Sequence, residues 1–346
     1  MATENIDTQL RIFQRQYLQL LDPDFLTWPA KALLRNVSSQ EWLYRNLFLE
    51  QQGRYLPPVR YQFRVLKSLL AKIEQAIDDP DQDEISDSLM SHFSELLTSN
   101  LPTELTAVQQ RAYVTFSCVS AQGASAERAE SSITLLERRN LISGSKTTGF
   151  RTWEAALHLA TFLLTDHQDR IRGKSIIELG AGTGFLSILC AKVLGARHVT
   201  TTDGDEGVID ALKENLFLNG LDDQRSVQAS VLRWGHSLRH NWVQDDCEEW
   251  PYDIVIGADI IYDKTAVSAL VATLDMLFEM RPKVEVIVAS AVRNADTFEA
   301  FRFACGRRKF SVEEISFAAR PMRDQPNVFY ATAVPLKILA ITAPTE

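Results

Sequence analysis

Residues 174–194, KSIIELGAGTGFLSILCAKVL, join an apolar run of strand length to a loop with glycine at 180, 182 and 184, then to a second apolar run of helical length. Few folds accommodate that order. Glycine lets a backbone take positive φ and lets a ligand approach it closely. A strand that feeds such a loop and then a helix opens a parallel α/β sheet, and ligands of those sheets sit beyond the carboxyl ends of the strands. The residues that follow keep the alternation. HVTTTD (198–203) reads as the next strand and EGVIDALKENLFLN as the next helix. SVQASVLRWG, YDIVIGADIIY, VEVIVASAV, FSVEEISFAA and NVFYATAVPL read as further strands, with helical runs at 264–279 and 294–306. WEAALHLATFLL reads as a helix ahead of the first strand. The pattern predicts a mostly parallel sheet with helices on both faces. Only the loop at 320–327 separates the last two strand-like runs, so an antiparallel hairpin is expected at one sheet edge. FLSILCAKVL is apolar nearly all round, which predicts a helix buried on the sheet.

The first hundred residues have a different period. Leu10, Ile12, Phe13, Tyr17, Leu18, Leu20 and Leu21 recur at helical spacing. So do Phe63, Val65, Leu66, Leu69, Leu70, Ile73 and Ile77 after Pro57-Pro58, and Ile85, Leu89, Phe93, Leu96 and Leu97 after the acidic loop Asp78-Asp79-Pro80-Asp81. Each set predicts a helix with one buried face. No chemistry-bearing cluster stands out there, and a helical cap or docking domain over 1–100 is expected. RAYVTFSCVS and SSITLLE flank an Ala/Gly/Ser/Glu-rich loop, a hairpin signal, and the turn-rich SGSKTTG follows at 143–149. The domain boundary is expected near Asn100-Leu101-Pro102. The expected organisation is therefore a helical domain at 1–100, a linker and β-hairpin at 101–150, and an α/β domain at 151–346.

Composition excludes several function classes. The net charge is −9, with the acidity spread along the chain. Phosphate neutralisation supplies most non-specific affinity for a duplex, so no direct nucleic-acid binding is expected. A lysine-rich protein partner suits the sign better. The four cysteines, at 118, 190, 247 and 305, form no C-x-x-C, which argues against a disulfide framework or a cysteine zinc site. The opening MATENIDTQLRIFQRQ has no cationic segment followed by an apolar stretch, and no run of 18 apolar residues occurs. A monomer in the cytoplasm, with no membrane contact, is the expectation. His236 and His240 stand four apart without a third ligand and read as surface histidines, so no metal is expected. No G-x-S-x-G and no G-x-x-x-x-G-K-[ST] occurs, against a hydrolase elbow and a P-loop.

The glycine loop is expected to touch a nucleotide-like cofactor. The dinucleotide fingerprint G-x-G-x-x-G would need its third glycine at 185, where Phe185 stands. Asp203, 19 residues after Gly184, ends the next strand, where a carboxylate can accept both ribose hydroxyls. That spacing alone suits NAD or S-adenosylmethionine. Glu178 at the end of the first strand would meet a cationic amino-acid moiety better than a pyrophosphate. The glycine spacing and Glu178 therefore favour S-adenosylmethionine.

Glu178–Gly184 resembles motif I of the seven-strand S-adenosylmethionine-dependent methyltransferases. Gly257-Ala258-Asp259-Ile260-Ile261-Tyr262 resembles the D-x-x-Y motif of their protein-lysine branch. The segment from Thr147 to Leu157, TTGFRTWEAAL, is similar to the one that precedes the core in the elongation factor 2 lysine methyltransferases, which also carry an N-terminal helical domain of about this size. The resemblance covers nearly the whole chain. It implies a Rossmann-like seven-strand methyltransferase sheet and transfer of methyl from S-adenosyl-L-methionine to a lysine of elongation factor 2. Residue by residue, it implies that Trp153 packs beside the cofactor, that Gly180, Ala181 and Gly182, with Gly184, form the loop around its amino-acid and ribose portion, and that Asp203 holds the ribose. Trp234 would flank the adenine and Ala258 would close the pocket floor. Asp259 would orient the incoming amine and Tyr262 would wall it. The acidic run Asp203-Gly204-Asp205-Glu206 and the insertion Gly144-Ser145-Lys146 depart from the family pattern. Nucleobase-amine methyltransferases typically have a Pro-Pro-aromatic run where this chain has Asp259-Ile260-Ile261-Tyr262. The alternatives are a lysine methyltransferase of another protein, a nicotinamide-type small-molecule N-methyltransferase and a non-catalytic binding scaffold.

Overall fold

The computed structural model describes residues 8–51, 54–79, 81, 83–99, 110–119, 131–138, 148–165, 167–223 and 225–344. The chain divides into two units, Met1–Ser117 with Thr134–Asn140 and Cys118–Ile133 with Leu141–Glu346. In the first unit the three helical patterns become α1 (Thr8–Leu18), α4 (Val59–Glu74) and α5 (Asp87–Thr98). Two short helices that the periodicity does not single out, α2 (Lys31–Arg35) and α3 (Val37–Leu43), stand between them. Asn36 separates these two and caps α3, its side chain accepting the Ser39 N–H at 3.0 Å. Phe13, Tyr17, Leu66, Leu69 and Ile73 are fully buried, each set on the face its spacing predicts. β1 (Arg111–Cys118) and β2 (Ser131–Arg138) form a two-stranded sheet. The loop between them, the Asn100-Leu101-Pro102 boundary, the insertion at 144–146 and Thr147 lie outside the described residues.

The second unit is built on α6 (Glu154–Leu164) and a seven-stranded sheet. Its strands are β3 (Ser175–Leu179), β4 (His198–Asp203), β5 (Val227–Val231), β6 (Ile254–Ala258), β7 (Glu285–Ala291), β8 (Ser311–Ile315) and β9 (Leu336–Thr342). The spatial order is β5-β4-β3-β6-β7-β9-β8. The pairs from β5 to β7 are parallel, and β9 is antiparallel to both β7 and β8. The central strands carry apolar residues on both faces because both are covered, as parallel sheets require. Ile177, Leu179, Val255, Leu270, Leu274, Val286 and Phe301 belong to one core cluster. Full burial of one such side chain is worth about 1.5–3 kcal/mol.

Two elements differ from the sequence reading. The apolar run after the glycine loop is one turn of α-helix, α7 (Phe185–Ile188), continued by a π-turn over Leu189–Val193. It is buried as expected, with Phe185 to Cys190 all at or below 1% exposure. The run NVFYATAVPL does not form a strand: the last strand starts at Leu336, after Pro335. Val328, Phe329 and Tyr330 are nonetheless buried, since the Gln325 side chain holds the Tyr330 backbone N–H (2.8 Å) and carbonyl (3.1 Å), and the Tyr330 hydroxyl lies 3.0 Å from His158 Nδ1 on α6. β-type composition there serves packing rather than a ladder. The remaining helices are α8 (Glu206–Leu218), α9 (Trp242–Glu249), α10 (Val267–Met280) and α11 (Ala295–Arg307). Among the described residues no helix is long and apolar enough to cross a membrane.

Candidate active site

Parallel register brings the carboxyl ends of β3, β4 and β6 level, with Glu178 opposite Thr201 on one side and Ile256 on the other. Above those ends lies a cavity of about 550 Å³, within the range of small-molecule and cofactor sites. Trp153, Glu178, Gly180, Ala181, Gly182, Asp203, Trp234, Ala258, Asp259 and Tyr262 all line it. Gly184 does not: its φ of +80° starts α7, and a side chain there would meet Leu212 Cγ at 3.0 Å.

The glycines have physical reasons. Gly180 has φ +67°, and a Cβ on it would stand 2.7 Å from Ile260 Cγ2 and 3.3 Å from the ring of Trp234. Gly182, φ +54°, backs onto Gly149, whose carbonyl oxygen would be 3.1 Å from an added Cβ. The turn is thereby pressed between Gly149, in the segment ahead of α6, and Trp234 after β5. Asp203 pins it from below: Oδ2 accepts the Gly182 N–H at 3.1 Å and Oδ1 accepts the Asp205 N–H at 3.2 Å. Burial pushes the Asp203 carboxyl above the usual range, against the pull of those N–H groups.

Glu178 is the more perturbed acid. It is 2% exposed and accepts a hydrogen bond from the Ser187 hydroxyl on α7. Burial pushes its pKa up to about 8, opposed by the Ser187 bonds and aided by the neighbouring Asp203 carboxylate. A buried carboxyl of this kind, lining a cavity, suits a cationic ligand that would restore its charge.

Asp259 sits one residue past β6 with φ +53°, a conformation rare for a side chain other than glycine or asparagine. The turn aims its carboxylate back into the fold. Oδ1 accepts the Ala291 N–H at 2.8 Å and meets Arg293 Nη1 at 3.3 Å, while Oδ2 has the Ala155 N–H at 3.4 Å. Burial raises its pKa, while the Ala291 N–H, the Arg293 guanidinium and the Ala155 N–H lower it. Tyr262 stands at the rim, 61% exposed. Trp153 precedes α6, donates its indole N–H to the Thr148 carbonyl at 3.0 Å, and lies 5.0 Å from the Arg151 guanidinium and 5.1 Å from that of Arg293.

The sequence reading passes over Arg293 and Glu154. Arg293 follows β7 and bonds Glu154 Oε2 at 2.5 Å as well as Asp259. Its signal is positional: a cation just past the carboxyl end of a strand adjoining the D-x-x-Y strand.

Residues 137–302 match the family model described as lysine methyltransferase. The chain is 44% identical over 327 residues to protein-lysine N-methyltransferase EFM3 of Chaetomium thermophilum, covering 93% of this chain and 94% of that protein. It is 26% identical over 358 residues to protein-lysine N-methyltransferase EEF2KMT of Homo sapiens, covering 98% of each. A protein N-lysine methyltransferase of Danio rerio is 36% identical over 166 residues, 48% of this chain and 70% of that protein.

Proposed function

The chain belongs to the protein-lysine N-methyltransferase family, and from that premise we propose that it methylates a lysine of translation elongation factor 2 with S-adenosyl-L-methionine as donor. The observation that carries the proposal is the single cavity in which the pinned glycine turn, the Asp203 carboxylate and the Asp259–Tyr262 pair converge. The residues fit that cofactor. The space a Cβ on Gly180 would fill is bounded by Trp234 and Ile260, leaving bare backbone toward the cavity. Glu178 offers a buried acid for an α-ammonium, and Asp203 retains acceptor lone pairs for a diol. Trp153 and Trp234 offer aromatic faces, and Ala258, at the end of β6, a small floor. When bound, the cofactor supplies a methyl group on a sulfonium, ready for in-line displacement.

The residues of the chain then have to deliver a neutral amine along that line. A free lysine has a pKa of about 10.4, so deprotonation at pH 7 costs about 4–5 kcal/mol. Removal of water from the ammonium in the cavity, beside a positive sulfonium, lowers that cost. Asp259 Oδ2, which has one long contact, accepts a hydrogen bond from the amine and orients its lone pair. Tyr262 walls the channel at the rim, its face toward the cationic product. Alignment contributes up to about 7–11 kcal/mol in favourable cases. No covalent intermediate is required.

The substrate reading is supported by the similarity of the segment through Trp153 to the elongation factor 2 branch and by the relative named EEF2KMT. A pocket for one side chain does not choose one lysine in a large protein, so a second contact surface is needed, and the domain expected over residues 1–100 is its candidate. The test is incubation of the purified enzyme with methyl-labelled cofactor and elongation factor 2, followed by mass spectrometry. Label on a lysine of the factor is the expected result. Label retained on the enzyme with none transferred to the factor rejects the substrate, and no retention of label rejects the cofactor.

A further inference from the structure

Asp259 presents a difficulty for the reaction it would serve. An unbalanced carboxylate next to the incoming amine holds that amine as ammonium, the form that cannot attack. The structure contains a counterweight. The Arg293 guanidinium lies 3.3 Å from Asp259 Oδ1 and 2.5 Å from Glu154 Oε2, with its carbon 5.1 Å from the Trp153 ring. It thus joins three elements at the cavity: the loop after β6, the start of α6 and the segment after β7. Its side chain is 40% exposed, whereas that of Asp259 is 8% exposed.

We propose that Arg293 is a positioning residue of the methyl-transfer site, clamping Asp259 to Glu154 and balancing the Asp259 charge so that the substrate amine meets an acceptor rather than a counterion. The inference rests on the proposed lysine chemistry. The other charged groups that line the cavity are Arg151 before α6, Glu178 near the end of β3, Asp203 at the end of β4, Asp205 beyond it, and Arg233 after β5. None of these bonds the Asp259 carboxylate, which has Arg293 as its ionic partner among the described residues. Arg151 instead reaches Glu154 at 3.5 Å, so the two arginines and two carboxylates around Trp153 sum to no net charge. Removal of one guanidinium leaves that set negative at the place where the amine must lose its proton.

The experiment compares the wild type with Arg293→Gln and Arg293→Lys by two readings. The first, on the enzyme with no cofactor or substrate, is the carboxyl titration of Asp259 followed by 13C NMR. The second is the acid limb of kcat against pH for the protein substrate, which reports the amine in the enzyme–substrate complex. Loss of the guanidinium is expected to raise the Asp259 pKa and to move the acid limb toward higher pH, each by about half a unit or more. At pH 7.5 kcat falls by about threefold or more with KM for the protein not raised, because the lost charge acts on the amine's protonation rather than on docking. The lysine variant keeps the charge and cannot span both carboxylates, so both titrations return toward wild type while kcat is only partly restored. Arg293→Met substitutes for the glutamine variant should that one not fold. An Asp259 titration unmoved in the neutral variants overturns the proposal, as does an unmoved acid limb, or a lysine variant shifted as far as the neutral ones. Wild-type enzyme that transfers no methyl to the factor refutes the functional reading instead, and the free-enzyme titration still decides whether Arg293 balances Asp259.

Discussion

Ile260 Cγ2 stands 2.7 Å from the point where a side chain on Gly180 would begin. The backbone of Gly180 is in the left-handed region, so its replacement by alanine meets both strain and a collision that Ile260, 4% exposed, has little room to relieve. Overpacking of this sort costs about 1–3 kcal/mol. Gly180→Ala is therefore expected to lower the thermal midpoint by a few degrees and to weaken retention of S-adenosylmethionine by about tenfold or more, since about 1.4 kcal/mol is a factor of ten. Calorimetric titration checks it, and full affinity in the alanine variant would show that the turn does not bound the ligand.

Glu178 carries a pH signature of definite sign. Its folded pKa stands at about 8, raised by burial, while an unfolded glutamate titrates near about 4.3. Between those values the folded enzyme holds a proton that the unfolded chain has lost. The stabilisation from this group is whole below the window and drains away as pH rises through about 8. A cationic cofactor reverses the preference, so at pH 7 its binding should release protons and its affinity should climb toward pH 8. Titration in buffers of different ionisation enthalpy measures the release directly. Glu178→Gln should remove it, and uptake of protons on binding would sink the assignment.

Asp259 ties down two backbone donors besides the role proposed for it. Asp259→Ala leaves the Ala291 and Ala155 N–H groups without their acceptor, at about 1–3 kcal/mol for a buried donor, and puts alanine in a left-handed conformation. Asp259→Asn keeps one acceptor oxygen and tolerates that conformation. The expected result is a lower melting temperature for the alanine variant than for the asparagine variant, with turnover lost by about a hundredfold or more in both and cofactor retention preserved. Turnover near wild type in either would remove Asp259 from the reaction.

Tyr262 is mostly exposed, so its truncation costs little burial. Tyr262→Ala should melt within about one degree of wild type, as surface changes do. Its kcat/KM on the protein substrate should nonetheless drop by about tenfold, the share of an aromatic wall facing a cation. A drop in stability with activity intact would mark it as packing.

What could be read beforehand was what is local in the chain. The glycine loop, the strand before it and Asp203 announce themselves through residue type at fixed spacing, and the structure builds β3, the turn and β4 from them. Asp259 and Tyr262 are a short motif at a strand end and are likewise legible. Arg293 is not, because its meaning comes from Glu154 and Asp259, which the sheet order alone brings to it. The run 327–335 misleads for a related reason: strand-like composition reports burial, and Tyr330 achieves burial through Gln325 and His158 without a ladder. Short α2 and α3 escape detection because five and seven residues carry too little periodicity to register.

The position of β9 bears on how a ribosome can deliver this protein. Latest of the described strands, it lies between β7 and β8, which were made before it. Until Leu336–Thr342 has left the exit tunnel, β7 has a bare edge and β8 has nothing to pair with. A nascent chain stalled short of that point offers open strand edges to any neighbour. Chaperone dependence should thus fall sharply once those seven residues have paired, which makes the interval before β9 docks the vulnerable one for β7 and β8.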